Sequence, residues 1–217
     1  MNQSVFKLSN KQYNRSDFIK SKSNNTACEV IENWPNECWG VNPYIKSLIL
    51  RGPLSSGKTF LAKNWAKVSG SKAVDINKAH DQEMINSYSG FIIEDIDHIT
   101  NENHFLHYFN SINECGKYLL LTCSNIPKFV LPDLNSRIQS INIIDICYPD
   151  DDLLRILIFK FFSGCAVRVD NNVISYLLQH LPRRFDFIQK TLDKINKASL
   201  ENQHKITIPF IKKILQS

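Results

Sequence analysis

Continuous apolar runs and helix-like periodic segments alternate through residues 18–148 of the chain. The runs predict buried strands, at residues 48–50, 73–76, 90–95, 118–122 and 141–146. Between them apolar residues recur every three or four positions and predict helices, at residues 27–34, 60–68, 105–112 and 134–140. Strands that alternate with helices in this way form a parallel sheet with helices on both faces, so the pattern predicts a doubly wound α/β domain over residues 18–148.

The pattern changes at Pro149. No further buried-strand run follows, and helical periodicity continues through residues 153–162, 171–180, 184–200 and 208–215. Asp170 and Thr207 precede two of these segments and are residue types that cap helices. We therefore expect a small all-helical domain over residues 149–217. Residues 1–17 are mostly polar and predict either a flexible tail with a short motif or a frayed end.

The loop after the first strand of the central run carries a pattern with specific chemistry. Residues 52–59 match G-x-x-x-x-G-K-T, a phosphate-binding loop. Gly52 and Gly57 let backbone N–H groups fold around an anion at the positive end of the next helix. Lys58 is expected to reach the β- and γ-phosphates, and the Thr59 hydroxyl to ligate Mg²⁺. The strand before the loop and the helix after it favour a nucleotide site over a chance match in a structural loop.

Two further strands end in polar residues. Glu94 and Asp95 follow an apolar run, where phosphoryl-transfer proteins place one acid that holds Mg²⁺ and another that orients the attacking water. The alternative is a surface turn. We assign the metal to Glu94, although the usual order places Asp first, and the division of roles between the two acids stays open. Ser124, beside Thr122 and Asn125, is a weaker candidate for a contact with the γ-phosphate or the water.

Arg137 lies between the predicted sheet and the helical domain. A lone Arg is most often a solvated charge or a member of a surface ion pair. In an oligomeric ATPase, an Arg at this place can instead project into the neighbouring subunit's site and stabilise transition-state charge. Arg137 is a candidate catalytic residue in that second interpretation.

Composition limits the expected cellular location and the classes of partner, but it does not identify a partner. The net charge of +5 permits an acidic or nucleic-acid partner but does not require one. No apolar run is long enough to span a bilayer and the N-terminus lacks a signal-peptide pattern, so we expect a cytoplasmic protein with no membrane partner. The six cysteines have no metal-binding spacing and are expected to be free thiols.

Together these motifs resemble those of the AAA+ ATPases, and specifically the DnaA/Hda group of replication-initiation proteins. They stand in the family's order, with Walker A at 50–59, Walker B at 92–97, sensor 1 at 120–125 and the Hda lid at 191–210. Residues 131–138 are very similar to the segment that bears the family's arginine finger. The resemblance therefore implies that role for Arg137.

The resemblance also implies a bound ADP or ATP with Mg²⁺. It would place the adenine beside Phe18 and Ile19. The other nucleotide contacts would come from the phosphate loop and the start of its helix, at Gly52, Ser55, Ser56, Gly57, Lys58, Thr59 and Phe60. The family's sensor 2 arginine aligns here with Asp186, so Arg183 or Arg184 replaces it or the contact is lost. We expect the chain's hydrolysis of its own nucleotide to be weak.

Two features place the chain on the Hda side of the group. DnaA continues past the lid into a helix-turn-helix domain, whereas this sequence ends at Ser217, so we expect no direct sequence-specific DNA binding. Hda-like proteins carry instead an N-terminal clamp-binding motif, Gln-x-x-Leu-x-Leu, and Gln3, Phe6 and Leu8 fit it with Phe for the first Leu. A Gln amide and two apolar anchors suit a hydrophobic pocket on the sliding clamp.

The resemblance thus implies an Hda-like regulator that binds the clamp, docks on ATP-bound DnaA and stimulates hydrolysis of DnaA's ATP. Homodimerisation is left open. The alternative is a self-contained AAA+ ATPase, such as a helicase loader or a transposition helper. A nucleotide-independent adaptor between DNA-bound partners is less favoured, because lysines and arginines are spread along the chain and do not form one basic cluster.

Overall fold

A computed structural model of the chain describes residues 18–34, 44–76 and 82–216. Its strands are β1 Ser47–Arg51, β2 Lys72–Ala73, β3 Gly90–Ile93, β4 Tyr118–Cys123 and β5 Asn142–Asp145. The helices that accompany the sheet are α1 Asn25–Asn33, α2 Lys58–Ser69, α3 Gln82–Ser87, α4 Glu102–Glu114 and α5 Pro132–Gln139, with a 3₁₀ turn at Ile96–His98. The helices after the sheet are α6 Asp151–Gly164, α7 Asn171–His180, α8 Phe185–Asn202 and α9 Ile208–Gln216. We call residues 151–216 the lid.

The strands form one parallel sheet in the order β2-β3-β4-β1-β5. The predicted doubly wound α/β architecture is thereby confirmed. Strand β1 lies between β4 and β5, so the loop that follows it leaves from inside the sheet. Strand β2 is shorter than the predicted 73–76, because its ladder with β3 ends at Ala73. Helix α3 was not predicted, and its buried Ile85 packs on the core below the sheet.

Alternate strand residues pack on opposite faces of the sheet. Ile49 faces a core shared with α4 and α5, whereas Leu48 faces a core shared with α1 and α2. In the second core the rings of Trp34 and Trp65 stack with centroids 4.6 Å apart, and the Trp65 indole donates to the Trp34 carbonyl at 3.0 Å. This contact fixes α1 against α2, the helix that begins at the phosphate loop.

The lid has a core of its own. Ile158 of α6 packs with Leu177 of α7, Ile195 of α8 and Ile211 of α9, and all four side chains are fully buried. The predicted all-helical unit after the sheet is confirmed. Among the helices of the described residues, none combines the length and the hydrophobicity that a transmembrane segment requires.

The N-terminal caps of α6 and α7 differ from those that the sequence predicts. Asp170 precedes α7 as predicted, but its side chain makes no capping hydrogen bond. The unpredicted cap is Asp150, whose carboxylate accepts from the Leu153 N–H at 2.7 Å at the start of α6. Asp150 also accepts from the Ser23 N–H at 3.3 Å. The start of the lid is therefore tied to the N-terminal segment that precedes α1.

Candidate nucleotide-binding site

The phosphate loop lies at the edge of the sheet where neighbouring parallel strands end. The loop follows β1, Glu94 follows β3 and Ser124 follows β4. Because the carboxyl ends of parallel strands meet at one edge, the topology brings these residues together from distant parts of the sequence. The Gly52 N–H donates to the Cys123 carbonyl at 3.1 Å, which anchors the loop to the end of β4.

The loop is closely packed at both glycines of its pattern. Gly57 has a φ of +95°, and a Cβ there would lie 2.5 Å from a ring atom of Phe18. A Cβ on Gly52 would lie 2.9 Å from the Cβ of Ile146. Ser55 also adopts a left-handed conformation, with φ +64°. The glycines are therefore required by close contacts with the N-terminal segment and with the chain after β5.

Lys58 is buried at the first position of α2, with 6% of its surface exposed. Its ammonium donates to the carbonyls of Gly52 at 2.7 Å and Pro53 at 3.0 Å, and it lies 3.5 Å from the Ser124 hydroxyl. Burial lowers the pKa of Lys58, and the nearby Asp95 partly offsets that shift. A phosphate in the loop would supply the full counter-charge that these neutral carbonyls do not.

Phe18 and Ile19 cover the loop from the N-terminal side. The Phe18 ring stacks on Phe60 with centroids 5.3 Å apart, and the Asn24 side chain donates to the Ile19 carbonyl at 2.9 Å. A cavity of about 740 Å³ opens at the loop. Of the predicted nucleotide-binding residues, those that line it are Ile19, Ser55, Ser56, Gly57, Lys58, Thr59 and Phe60.

Glu94 lies beside the start of α2. The Thr59 hydroxyl hydrogen-bonds its carboxylate, and its Oε1 atom is buried without a hydrogen-bond partner. Burial raises the pKa of Glu94, and Lys63 partly offsets the shift. A hydroxyl beside an unpaired carboxylate oxygen fits Mg²⁺, which commonly binds one or two carboxylates together with nucleotide phosphates. Thr59 and Glu94 would hold the ion, which would neutralise phosphate charge.

Asp95 is exposed and lines the cavity. Its backbone is left-handed, with φ 52° and ψ 53°, and its N–H donates to the buried Thr122 hydroxyl at 3.1 Å. The two acids that end β3 thus occupy different environments. Glu94 lies beside Thr59, whereas Asp95 faces the open cavity, so the geometry favours the metal role for Glu94.

Asp97 has a role that the sequence did not predict. Its Oδ2 atom accepts from the N–H of Ser124 at 2.9 Å and from the N–H of Asn125 at 3.4 Å. Its Oδ1 atom is buried without a hydrogen-bond partner. The carboxylate joins the 3₁₀ turn after β3 to the polar loop after β4, and so holds Ser124 beside Lys58. The sequence contained one signal for this role, since Asp97 is an acid two residues after Asp95. Only the fold shows which groups Asp97 contacts.

The cavity separates the loop from the lid. Its sheet wall consists of Ile19, the loop residues, Phe60 of α2 and Asp95. Its lid wall comes from α6 and α8, at Leu157, Lys160, Phe161, Phe185, Ile188, Gln189 and Leu192. Ligand pockets commonly measure about 300–1,000 Å³, so the space suits a small molecule such as a nucleotide.

The arginines that were predicted to replace sensor 2 do not line this cavity. Arg183 donates to the Leu178 carbonyl at 3.0 Å and pairs with Asp151 at 2.7 Å, so it links the end of α7 to the start of α6. Arg184 pairs with Asp186 at 3.0 Å, and both line a neighbouring cleft together with Gly52, Pro53 and Ser124. In contrast to the prediction, the structure does not bring Arg183 to the phosphate loop.

Arg137 is held outside the cavity of its own chain. Its guanidinium donates to both carboxylate oxygens of Asp133 at 3.1 Å and to the Tyr44 hydroxyl at 3.1 Å. Tyr44 precedes β1, whereas the phosphate loop follows it. The Arg137 side chain is 31% exposed. The residue is therefore an ordered cation on the surface. The predicted clamp-binding residues Gln3, Phe6 and Leu8 lie outside the described residues.

The parallel sheet, followed along the chain by the helical lid, is the AAA+ fold, which several solved structures share. Domain III of the replication initiation protein DnaA from Thermotoga maritima superposes with a TM-score of 0.73 and 14% identity, over 95% of this chain and 97% of that one. The initiator DnaA bound to AMPPCP and single-stranded DNA superposes with a TM-score of 0.68 and 19% identity, over 91% of this chain and 70% of that one. The Thermotoga maritima RuvB Holliday junction branch migration motor superposes with a TM-score of 0.58 and 12% identity, over 79% of this chain and 61% of that one.

One segment of the chain matches a family model. Residues 165–215 match the Hda lid domain. This match concerns the lid, whereas the similarity to the solved structures concerns the fold. A protein of Haemophilus influenzae described as uncharacterized is 33% identical over 112 residues, which cover 49% of this chain and 48% of that protein. The chain thus aligns with about half the length of that relative.

Proposed function

We propose that this chain is an Hda-like regulator of replication initiation, which docks on ATP-bound DnaA and stimulates hydrolysis of DnaA's ATP. The match of residues 165–215 to the Hda lid domain carries the proposal. In this role the chain prevents re-initiation by converting the initiator to its ADP form. It acts on another protein's reaction.

Arg137 supplies the stimulating group in trans. A finger must present a guanidinium to a partner without first ordering a flexible side chain, and the bidentate pair with Asp133 provides that order. Its partial exposure and its position outside the chain's own cavity support the same role. Arginine fingers accelerate hydrolysis by about 10³- to 10⁵-fold.

The chain's own loop holds ADP or ATP with Mg²⁺. Gly52, Gly57 and Lys58 bind the phosphates, and Thr59 and Glu94 hold the metal. The buried, partly uncompensated Lys58 and the unpaired oxygen of Glu94 support this assignment. With the sensor 2 position occupied by Asp186, the bound nucleotide serves mainly to hold the lid against the sheet domain.

The test is ATP turnover by purified DnaA from the same organism, with DNA-loaded clamp, in the presence of this chain or its variants. Wild type is expected to accelerate hydrolysis, and Arg137→Ala to lose the effect. Asp133→Asn is the sharper variant, because it weakens the ion pair and keeps the guanidinium. It should retain part of the stimulation if Arg137 acts on DnaA, because the guanidinium remains while the pair that orders it is weakened.

Loss of stimulation in both variants, with normal thermal unfolding, would mean that the ion pair itself is the active element. Arg155→Ala, an exposed residue of α6, is the matched control and should behave as wild type. If wild type leaves DnaA's turnover unchanged, the proposal is wrong.

The N-terminal motif recruits the chain to the sliding clamp in this proposal. Gln3→Ala and Phe6→Ala should abolish clamp binding in a pull-down with purified clamp, and should reduce DnaA stimulation only when the clamp is present. Clamp binding that survives both substitutions would assign recruitment to another segment.

A self-contained ATPase is the second candidate. It is supported by the polar residues that lie together at the loop, which are Lys58, Thr59, Glu94, Asp95 and Ser124. It predicts turnover of ATP by the chain alone, which Lys58→Ala abolishes. Turnover of this kind without any effect on DnaA would favour this candidate over the regulator.

A further inference from the structure

The guanidinium of Arg137 is held by two groups that belong to different parts of the fold. Its Nε and Nη2 atoms donate to Asp133, which lies four residues earlier in α5, and its Nη1 atom donates to the Tyr44 hydroxyl. Side chains four residues apart are neighbours on one face of a helix. The Asp133 pair therefore orders the guanidinium relative to α5 alone, whereas Tyr44 lies outside that helix, before β1.

Tyr44 is fixed by the core of the sheet domain. Its ring packs edge-on against Phe109 of α4, which is fully buried, with ring centroids 5.1 Å apart. Its carbonyl accepts from the N–H of Ser47 at 3.0 Å, so its backbone is tied to the first residue of β1. A tyrosine side chain has two rotatable χ angles, and a packed ring therefore holds its hydroxyl at a defined place. The hydroxyl thus links Arg137 to the sheet and to α4.

The arrangement leaves part of the guanidinium available to a partner. A guanidinium has five N–H groups, and three of those of Arg137 donate to Asp133 and Tyr44. The other two, one on each terminal nitrogen, have no partner among the residues that the structure describes. Arginine N–H groups donate strong hydrogen bonds to phosphate oxygens. A guanidinium that is held from two sides can therefore still donate to an incoming phosphate.

We infer that Tyr44 is the positioning residue of Arg137, and that its hydroxyl holds the guanidinium in the orientation that meets the phosphates of DnaA's ATP. The inference deepens the proposed function and rests on it, because it concerns the same arginine finger. Tyr44 acts through Arg137 and not on the nucleotide. A preorganised donor stabilises the charge of the transition state, so the hydroxyl contributes to the rate of hydrolysis and not to the affinity of docking.

The test is ATP turnover by DnaA, with DNA-loaded clamp, over a range of concentrations of this chain or its Tyr44→Phe variant. The variant keeps the ring and its packing on Phe109 and removes only the hydroxyl. Maximal stimulation should fall about tenfold, the effect of one hydrogen bond to a charged group. The half-saturating concentration and the midpoint of thermal unfolding should both stay at the wild-type values.

Tyr88→Phe is the matched control. Tyr88 is also half-buried against the core that contains Phe109, but its ring packs on Phe91. This variant should stimulate DnaA as wild type does. A loss equal to that of Tyr44→Phe would show that the effect does not depend on the contact with Arg137, and would overturn the inference.

A double-mutant cycle separates positioning from other effects. When Arg137→Ala is already present, Tyr44→Phe should cause no further loss of turnover, because the hydroxyl acts only through the guanidinium. A further loss in this background would overturn the inference, since Tyr44 would then act independently of Arg137.

The remaining outcomes distinguish this inference from the proposed function. Full stimulation by Tyr44→Phe, together with lost stimulation by Arg137→Ala, would overturn the inference and leave the proposed function intact. A raised half-saturating concentration or a lower unfolding midpoint, with unchanged maximal stimulation, would assign the hydroxyl to docking or stability and would also overturn the inference. If wild type does not stimulate DnaA, the proposed function fails and the inference fails with it.

Discussion

The two walls of the nucleotide cavity differ in how their polar groups are held. On the sheet wall, Lys58 is fixed by the Gly52 and Pro53 carbonyls, and behind it Asp97 fixes the Ser124 loop. The lid wall is mainly apolar, and the arginines near it are paired with acids. The polar groups of the sheet wall are therefore held in place by the fold, as the proposed phosphate site requires, whereas the lid wall offers few polar contacts.

The two walls are joined through the N-terminal segment. The Cys147 N–H donates to the Ser23 carbonyl at 2.8 Å, and Asp150 accepts from the Ser23 N–H. The same segment carries Phe18 and Ile19 to the loop. One short stretch therefore contacts the phosphate loop, the chain after β5 and the start of the lid.

Lys58→Ala should give the largest change, since it removes the buried donor of the sheet wall. We expect ADP affinity to fall about 100-fold, because hydrogen bonds to charged groups contribute about 1.5–3 kcal/mol. Isothermal titration calorimetry measures the change. Lys67→Ala, at an exposed position of the same helix, is the control and should bind like wild type. A loss of ADP affinity below about threefold for Lys58→Ala would show that Lys58 does not bind the phosphates, and the contrast between the sheet wall and the lid wall would then be wrong.

Asp97→Ala should lower the free energy of unfolding by about 2 kcal/mol, because two backbone donors lose a charged acceptor. Asp97→Asn keeps one acceptor oxygen and should cost less. Urea denaturation measures both changes. The control is Asp145→Ala, which breaks an exposed pair with Arg51 and should cost less than about 1 kcal/mol. Equal losses for Asp97→Ala and the control would show that Asp97 does not stabilise the loop.

Glu94 should make Mg²⁺ affinity depend on pH. Burial raises its pKa, so the carboxyl is protonated at a higher pH than an exposed one, and Mg²⁺ binds the ionised form. Mg²⁺ affinity of the ADP-bound chain should therefore fall as pH drops through the raised pKa, by up to about tenfold per pH unit. Titrations at several pH values test this. Glu94→Gln should bind Mg²⁺ weakly and without that pH dependence, and a steep dependence in this variant would assign the proton to another group.

Gln189→Ala should give the smallest effect, because it changes an exposed residue of the lid wall. We expect ADP affinity to change by less than about threefold, which corresponds to the roughly 0.5 kcal/mol of an ordinary surface substitution. Displacement of a fluorescent ADP analogue measures it. A tenfold loss would show that the lid wall recognises the nucleotide through α8.

The sequence was informative where local pattern and chemistry coincide. The apolar runs predicted the strands of the sheet, because strands buried on both faces have few polar residues. The loop pattern predicted where Gly52 to Thr59 would turn, because few other residues adopt that geometry. Asp97 and Arg183 were less predictable. Their roles depend on which backbone groups and carboxylates lie opposite them in three dimensions.

The sequence by itself therefore determined the succession of the strands and of the α-helices other than α3, the loop pattern at residues 52–59 and the resemblance of the lid. These features depend on residues close together in the chain, through side-chain periodicity and local backbone geometry. The tertiary structure decided that Glu94 lies beside Thr59, that Arg137 pairs with Asp133 and Tyr44, and that the lid wall carries Lys160. Those contacts depend on strand register and on how α5, α6 and α8 pack, which no local pattern specifies.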